Sequence, residues 1–177
     1  MATVEKAIRQ GVIVLPLIGV KDGIAELLTL PQLAENGHKR GEYSPMREGS
    51  KLRAIEGLEF PGGGVKELET IAQAGRRELL VESGVNFSPD VESRMKQIIG
   101  EFPVVQLRPE LTDFAVSVMV LDLLPDEVEK MRDRGARSVM LGKDGRLVNV
   151  DGAEVALRPA HADIMYFVGG IINSLYK

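Results

Sequence analysis

The sequence predicts a mixed α/β fold in which strands lie on both sides of one central helix along the chain and a second helix closes it. Three observations lead there: two apolar, β-branched runs near the start, a well-delimited helix in the middle, and a helical apolar pattern over residues 160–176. Elements of this kind bury their apolar faces by stacking into layers, so we expect an α/β sandwich. With 177 residues, 44% of them hydrophobic, the chain suffices for one domain spanning residues 1–177.

The first elements are expected to be two strands joined by a tight turn. Residues 11–19 and 24–30 are apolar runs, and the Asp22-Gly23 pair between them is a hairpin signal. The stretch 12–20 is too short to cross a bilayer and lacks the small-residue pattern of a signal-peptide cleavage site. We therefore expect a cytoplasmic protein that does not associate with membranes.

A loop, a strand and a capped helix follow. Residues 31–51 are polar and rich in turn residues, which indicates a long loop, and residues 53–60 are expected to form a strand. Thr70 and Gln73 form a capping-box pattern, which predicts the start of a helix. Gly84 is placed to end that helix in a left-handed conformation.

The second half of the chain continues the alternation of strands and helices. Its apolar patterns and turn signals predict the following elements in order: a short helix at 93–99, a central strand at 114–124, a helix at 126–133, a hairpin of 137–141 and 146–150 around Lys143-Asp144-Gly145, a strand at 155–157 and an amphipathic helix at 160–176.

The composition excludes several classes of function. The formal net charge is −4, so the chain lacks the basic footprint that nonspecific nucleic-acid binding needs. There is no cysteine, which removes disulfides, thiolate metal sites and cysteine nucleophiles. The two histidines, His38 and His161, are far apart in sequence and do not form a His-x-x-x-His zinc motif.

Residues 63–85 carry a spaced pattern of glycine, acidic, arginine and aliphatic residues. The segment resembles the Nudix box, which runs Gly, five residues, Glu, seven residues, Arg-Glu, an aliphatic residue, any residue, Glu-Glu, any residue, Gly and an aliphatic residue. Val81 stands where the family has the first Glu of the pair, and the remaining eight of nine defined positions match. The matching residues are Gly63, Glu69, Arg77, Glu78, Leu79, Glu82, Gly84 and Val85. The resemblance implies a Nudix-type α/β/α sandwich.

The spacing of two acidic residues predicts a metal site. Glu78 and Glu82 are four positions apart, so both carboxylates project from one face of a helix. Like charges placed together favour a cation between them, and hard oxygen ligands favour Mg²⁺, with Mn²⁺ as the other option. The resemblance adds the carbonyl of Gly62 as a ligand and implies an ion pair between Glu69 and Arg77 that fixes the loop against the helix.

The reaction implied by the resemblance is metal-assisted attack of water on a phosphorus of a diphosphate. Such a reaction needs a general base. In the family the base comes either from the box, here Glu82, or from a region 40–50 residues downstream. Asp126, Glu127 and Glu129 lie in that region, and we select Glu127.

The stretches before the box resemble the ADP-ribose pyrophosphatase branch of the family. This implies ADP-ribose or a nucleotide sugar as the substrate, and a homodimer that binds it across the interface. Arginine suits bidentate phosphate contacts, so Arg53, Arg94 and Arg108 are possible substrate ligands, with Arg53 and Arg108 chosen.

Because Val81 replaces an acidic residue of the pattern, the sequence does not decide whether the protein is catalytically active. Its side chain either packs in the core or marks a lost metal ligand, with fewer metals, slower turnover or no catalysis as the consequence. The alternatives to a diphosphate hydrolase are a catalytically impaired Nudix-fold module that binds nucleotides or regulates, and a nucleoside triphosphate pyrophosphohydrolase.

Overall fold

The computed structural model describes residues 9–31, 34–35, 38–39, 58–103, 114–155 and 159–176. The strands within these residues are β1 (Arg9–Lys21), β2 (Ile24–Pro31), β3 (Ala34–Glu35), β4 (His38–Lys39), β5 (Leu58–Glu59), β6 (Gly62–Gly64), β7 (Met95–Pro103), β8 (Phe114–Asp122), β9 (Arg137–Leu141) and β10 (Leu147–Asn149). The helices are α1 (Ile71–Ser83), α2 (Val91–Arg94), α3 (Pro125–Asp133) and α4 (Pro159–Leu175).

One mixed sheet organises the described residues. Its order is β10-β9-β2-β1-β8-β7, with β5 added to β2 and β6 added to β1. Strands β1 and β8 run parallel, whereas β1 pairs with β2 and with β6 antiparallel. Because β1 is 13 residues long, it pairs with all three of these strands and holds the glycine strand β6 beside the centre of the sheet. Strands β3 and β4 pair separately.

Both faces of the sheet are covered by helices. Alternate residues of a strand point to opposite faces, and β1 is buried on both. On one face Ile13, Leu15 and Leu17 pack in a cluster with Ile164, Met165 and Val168 of α4. On the other face Val12 and Val14 pack in a cluster with Ala74 and Leu79 of α1 and Met131 of α3. The predicted sandwich of helix, mixed sheet and helix is therefore confirmed.

The central helix α1 begins and ends where the sequence predicts. The hydroxyl of Thr70 accepts a hydrogen bond from the Gln73 backbone at 3.1 Å, and the Gln73 side chain accepts one from the Thr70 N–H at 2.9 Å. Gly84 ends the helix with φ 69°. A Cβ atom at Gly75 would lie 3.0 Å from the Val14 side chain and 3.1 Å from the Met95 sulfur. The absence of that atom lets α1 lie close to the sheet.

The short helix predicted over residues 93–99 is wrong for most of its length. Only Val91–Arg94 is helical, and the chain then enters β7, which pairs antiparallel with β8. The helical pattern is local, whereas the pairing with β8 is not. Backbone hydrogen bonds along β8 outweigh the local preference of a short apolar segment.

The remaining elements largely follow the sequence. The β1–β2 turn has positive φ at both Asp22 and Gly23, as a tight hairpin turn requires. The predicted hairpin around Gly145, the strand β8 and the helices α3 and α4 are present. In place of the strand at 155–157 there is an isolated bridge of Val148 with Glu154, and residues 156–158 lie outside the described part. Most of the predicted loop 31–51 and strand 53–60 also lie outside it.

None of the described helices combines the length and the hydropathy needed to cross a lipid bilayer.

Candidate active site

The glycine strand β6 presents two backbone carbonyls on the side that faces away from β1. Val14 N–H donates to the Pro61 carbonyl at 2.8 Å, and Gly63 lies opposite Val12 in the same antiparallel ladder. Hydrogen-bonded and non-bonded pairs alternate in such a ladder, so the carbonyls of Gly62 and Gly64 point away from β1. The Gly64 carbonyl accepts a hydrogen bond from Arg77 Nη2 at 2.7 Å. The Gly62 carbonyl is directed to the same side.

Glu78 places its carboxylate directly against this strand. The residue is 8% exposed, and a Cβ atom at Gly63 would lie 2.5 Å from its Oε1 atom and 2.6 Å from its Cδ atom. Real side chains do not approach so closely, so any residue other than glycine at 63 would displace the carboxylate. The absence of a side chain at Gly63 therefore leaves the space that the Glu78 carboxylate occupies.

Arg77 links the loop, the strand and the helix. Its Nε atom donates to Glu69 Oε2 at 2.9 Å and its Nη2 atom donates to Glu69 Oε1 at 2.8 Å. Its Nη1 atom forms an ion pair with Glu78. The Lys66 N–H also donates to Glu69 at 3.0 Å. These contacts hold residues 64–69 against α1.

The hydrogen bonds between Arg77 and Glu69 shift the pKa values of both residues. The hydrogen bonds from Arg77 lower the pKa of Glu69 from 4.5 to about 2, and burial only partly opposes them. The hydrogen bond to Glu69 raises the pKa of Arg77 in turn. Both groups therefore stay ionised across the neutral range, and the pair acts as a fixed clamp.

Glu82 lies one turn beyond Glu78 on the same buried face of α1. It is 5% exposed, and Ser83 beside it donates its hydroxyl to the Leu79 carbonyl inside the helix. Ionised carboxylates are costly to bury unless cations or donors compensate them. Two carboxylates are thus buried on one helical face, and the Arg77 guanidinium compensates the first of them.

These groups fit a hard divalent cation. Two carboxylates and the carbonyl of Gly62 are oxygen donors, and Mg²⁺ is typically held by one or two carboxylates while water and substrate phosphates complete its shell. Within the described ranges, no group of three or more His, Cys, Asp or Glu side chains comes together as a metal-binding cluster. Glu78 and Glu82 are the two buried acidic residues of α1.

Val81 does not pack in the core. Its side chain is 53% exposed, so the core-packing interpretation of this position is wrong. Successive residues of an α-helix are rotated by about 100°, which places Val81 about 60° from Glu78 around the helix axis. The valine therefore borders the buried carboxylate face.

Glu127 is buried in a different setting. It is 6% exposed, and its Oε2 atom accepts hydrogen bonds from Arg94 Nη1 at 3.0 Å and from the Leu124 N–H at 2.9 Å. Its Oε1 atom is paired with Arg94 Nη2. Arg94 also donates to the Asp122 carbonyl at 2.9 Å. Arg94 therefore joins the end of α2 to the start of α3 through Glu127 and to the end of β8 through the Asp122 carbonyl.

The structure brings some of the predicted site residues together and leaves others undescribed. Glu69, Arg77 and Glu78 meet beside Gly63 and Gly64 of β6, the strand that also contains Gly62, and Glu82 follows Glu78 on the same helix. The predicted substrate ligands Arg53 and Arg108 lie outside the described residues. The Arg94–Glu127 pair was missed, because its members are 33 positions apart and no local pattern marks them.

Comparisons with known proteins relate the fold to Nudix structures. A scan against protein families and a search of the curated proteins gave no match. A mutT/nudix family protein from Listeria innocua is 16% identical, with a TM-score of 0.54 over 97% of this chain and 98% of that one. A bifunctional NMN adenylyltransferase/ADP ribose pyrophosphatase from Francisella tularensis, complexed with AMP and a Mn ion, is 16% identical, with a TM-score of 0.51 over 96% of this chain and 43% of that one. The Nudix-type fold implied by the box is thus confirmed.

Proposed function

We propose that the protein is a Nudix-family hydrolase that cleaves the diphosphate of a nucleoside diphosphate linked to another group, such as ADP-ribose or a nucleotide sugar. One observation carries the proposal: Glu78 and Glu82 are both buried on one face of α1, and the Glu78 carboxylate lies against the glycine strand. Buried carboxylates beside an outward-turned backbone carbonyl suit a cation that binds phosphate oxygens.

Glu78, Glu82 and the Gly62 carbonyl would hold the cation, for which we propose Mg²⁺, with Mn²⁺ as a substitute. When bound, such an ion neutralises charge on phosphoryl oxygens and lowers the pKa of a water molecule. Arg77 orients Glu78 through their ion pair, and Gly63 leaves the space that the carboxylate occupies. Of the two acids considered as general base, we propose Glu82, because it shares the buried face of α1 with Glu78, whereas Glu127 lies in the ion pair with Arg94 on α3.

The nucleotide part of the proposal rests on the box and on the fold. The Francisella protein that shares the fold was complexed with AMP and a Mn ion, which supports a nucleotide and a divalent cation as ligands. The homodimer and the cytoplasmic location stay predictions. Sedimentation of the purified chain would test the first of them.

A substrate panel tests the activity. ADP-ribose, nucleotide sugars and nucleoside triphosphates are incubated with Mg²⁺ or Mn²⁺, and phosphate is measured with and without added phosphatase. We expect nucleoside monophosphate from the diphosphate compounds, and a loss of about 100-fold or more in Glu82→Gln, which removes the proposed base and one proposed cation ligand together. Glu129→Gln, an exposed position on α3, is the matched control. If no nucleotide is cleaved under any condition, the proposal is wrong.

A binding module without catalysis is the second candidate. The exposure of Val81 favours it, because the position borders the carboxylates and supplies no ligand. Such a module would be stabilised against heat by ADP-ribose while leaving it intact. Preference for triphosphates in the panel would instead identify a nucleoside triphosphate pyrophosphohydrolase.

A further inference from the structure

We propose that two copies of this chain associate through the outward side of α4. This α4 surface consists of Tyr166, Phe167, Gly170, Ile171, Ser174 and Leu175. Helices α4 and α1 pack in separate clusters on opposite faces of the sheet. Each copy would therefore keep its α1 site on the far side of its own sheet. The inference goes beyond the proposed function and does not depend on it.

The α4 surface is apolar although it is exposed in the single chain. Tyr166 is 69% exposed, Phe167 is 51% exposed and Leu175 is 57% exposed. Spacings of three and four residues place the members of the surface along one side of the helix. The opposite side of α4 is also apolar and packs in the core. A helix that is apolar on all sides is normally buried on all sides, so the exposed side of α4 fits a contact with another surface.

The aromatic end of the α4 surface is held in place by ring contacts. The Phe167 ring centroid lies 5.4 Å from that of Phe102 on β7 and 5.4 Å from that of Tyr166. The three rings form a continuous line from β7 to the outward side of α4. Aromatic side chains are enriched in protein interfaces and supply a large contact area at a small cost in conformational entropy. The ring contacts therefore prepare this end of the surface for association.

The distribution of charge favours a second copy as the occupant. No charged residue occurs between Ile164 and Tyr176, although charged residues make up 27% of the chain. A partner that is recognised by opposite charge needs ionic residues on the surface it contacts, and helices that lie in a membrane interface carry Lys and Arg on a polar side. Two copies with a net charge of −4 repel each other, and an uncharged contact keeps that repulsion small.

The area of the α4 surface indicates a weak dimer. A buried aromatic side chain removes about 150–250 Å² from water, so the three large exposed side chains offer roughly 300–400 Å² per copy. A standard interface takes about 800 Å² per partner. We therefore expect Phe102 and the smaller residues to add to the contact, and the dimer to dissociate on dilution. At Gly170, in the middle of the surface, a Cβ atom would lie 3.9 Å from the Lys143 carbonyl oxygen, which leaves room for two helices to cross closely.

Sedimentation equilibrium of the full chain over a range of concentrations tests the inference. We expect a monomer–dimer equilibrium for the wild type, and a dissociation constant at least about tenfold higher in Tyr166→Glu and in Leu175→Glu. Val150→Glu is the matched control, because it adds the same charge at an apolar position that is 76% exposed and lies outside α4. Its dissociation constant should match that of the wild type. Added salt should not weaken the dimer, since no ion pair holds it.

Disulfide cross-linking locates the contact by a second route. The chain has no cysteine, so a single introduced cysteine can form a disulfide only with its copy in another molecule. Gly170→Cys should give a covalent dimer on mild oxidation, because a two-fold axis brings equivalent central residues opposite each other. Val150→Cys should stay monomeric under the same conditions. Thermal melting checks that each variant is folded, and cross-linking decides if the glutamate variants do not fold.

Several outcomes would overturn the inference. A wild type that stays monomeric at every concentration would do so, and so would a dimer that Val150→Glu weakens as much as the α4 variants do. Cross-linking of Val150→Cys but not of Gly170→Cys would place the contact elsewhere. A monomeric wild type that binds uncharged phosphatidylcholine vesicles, with binding lost in Tyr166→Glu, would make the surface a membrane contact instead. The substrate panel tests nucleotide hydrolysis separately from all of these results.

Discussion

Two buried glutamates, Glu78 on α1 and Glu127 on α3, have nearly the same exposure but different surroundings. Both oxygens of Glu127 accept hydrogen bonds from Arg94, and one of them also accepts from a backbone N–H. Arg94 also donates to the Asp122 carbonyl, and its Nε atom lies 3.5 Å from the Asp90 carboxylate. The guanidinium beside Glu78 is divided between Glu78, both oxygens of Glu69 and a backbone carbonyl. Burial of a carboxylate therefore does not by itself mark a functional site. What differs is the number of hydrogen bonds that each carboxylate accepts from its arginine, which is two for Glu127 and one for Glu78.

The largest effect is expected from breaking the Arg94–Glu127 pair. Glu127→Ala should lower the free energy of unfolding by about 3 kcal/mol, because it leaves a largely buried guanidinium without its carboxylate. Denaturant unfolding measures the loss, and Glu129→Ala on the same helix should cost far less. The hydrolytic rate of the molecules that remain folded should be unchanged. If the folded Glu127→Ala protein hydrolyses nucleotides more slowly than the wild type, Glu127 would instead be the general base.

A smaller effect is expected where Glu78 meets the glycine strand. Gly63→Ala places a Cβ atom 2.5 Å from Glu78 Oε1, so the carboxylate must move, and the affinity for Mn²⁺ should fall by about tenfold, or about 1.4 kcal/mol. Gly64→Ala is the matched control, because a Cβ atom there meets nothing within 4 Å. Calorimetric titration compares the two variants. Equal affinities would show that the contact with Gly63 does not position the ligand.

The smallest effect is expected at the Glu69–Arg77 clamp, and it depends on pH. Because the folded pKa of Glu69 is about 2, below its ordinary 4.5, the stability it contributes is complete above about pH 4.5 and is lost as the pH falls towards 2. Glu69→Gln should cost about 1 kcal/mol at pH 7 and less at pH 3. Denaturant unfolding at both values gives the difference from wild type. Glu67→Gln, at an exposed neighbouring position, is the control variant and is measured at the same two pH values.

Local signals in the sequence determined the elements that surround the site. The capping box of Thr70 and Gln73, the terminating Gly84 and the Asp22-Gly23 turn are set by side chains within a few residues of the backbone they satisfy. The spacing of Glu78 and Glu82 likewise fixed a shared helical face, because helical periodicity is a property of the backbone. These features were predicted correctly because they need no distant partner.

Only the tertiary structure decided how that face is used. Strand β7 lies where the sequence predicted a helix. The prediction failed because β7 is held by its pairing with β8, which lies further along the chain and which a local pattern does not show. The Arg94–Glu127 pair was not predicted for the same reason, since the two residues are 33 positions apart in sequence. Pairing of β6 with β1 brought Gly63 against Glu78, and the packing of α1 left Val81 at the surface. Sequence determined which carboxylates share a side of the helix, and packing decided that this side is buried, because burial depends on contacts between distant segments.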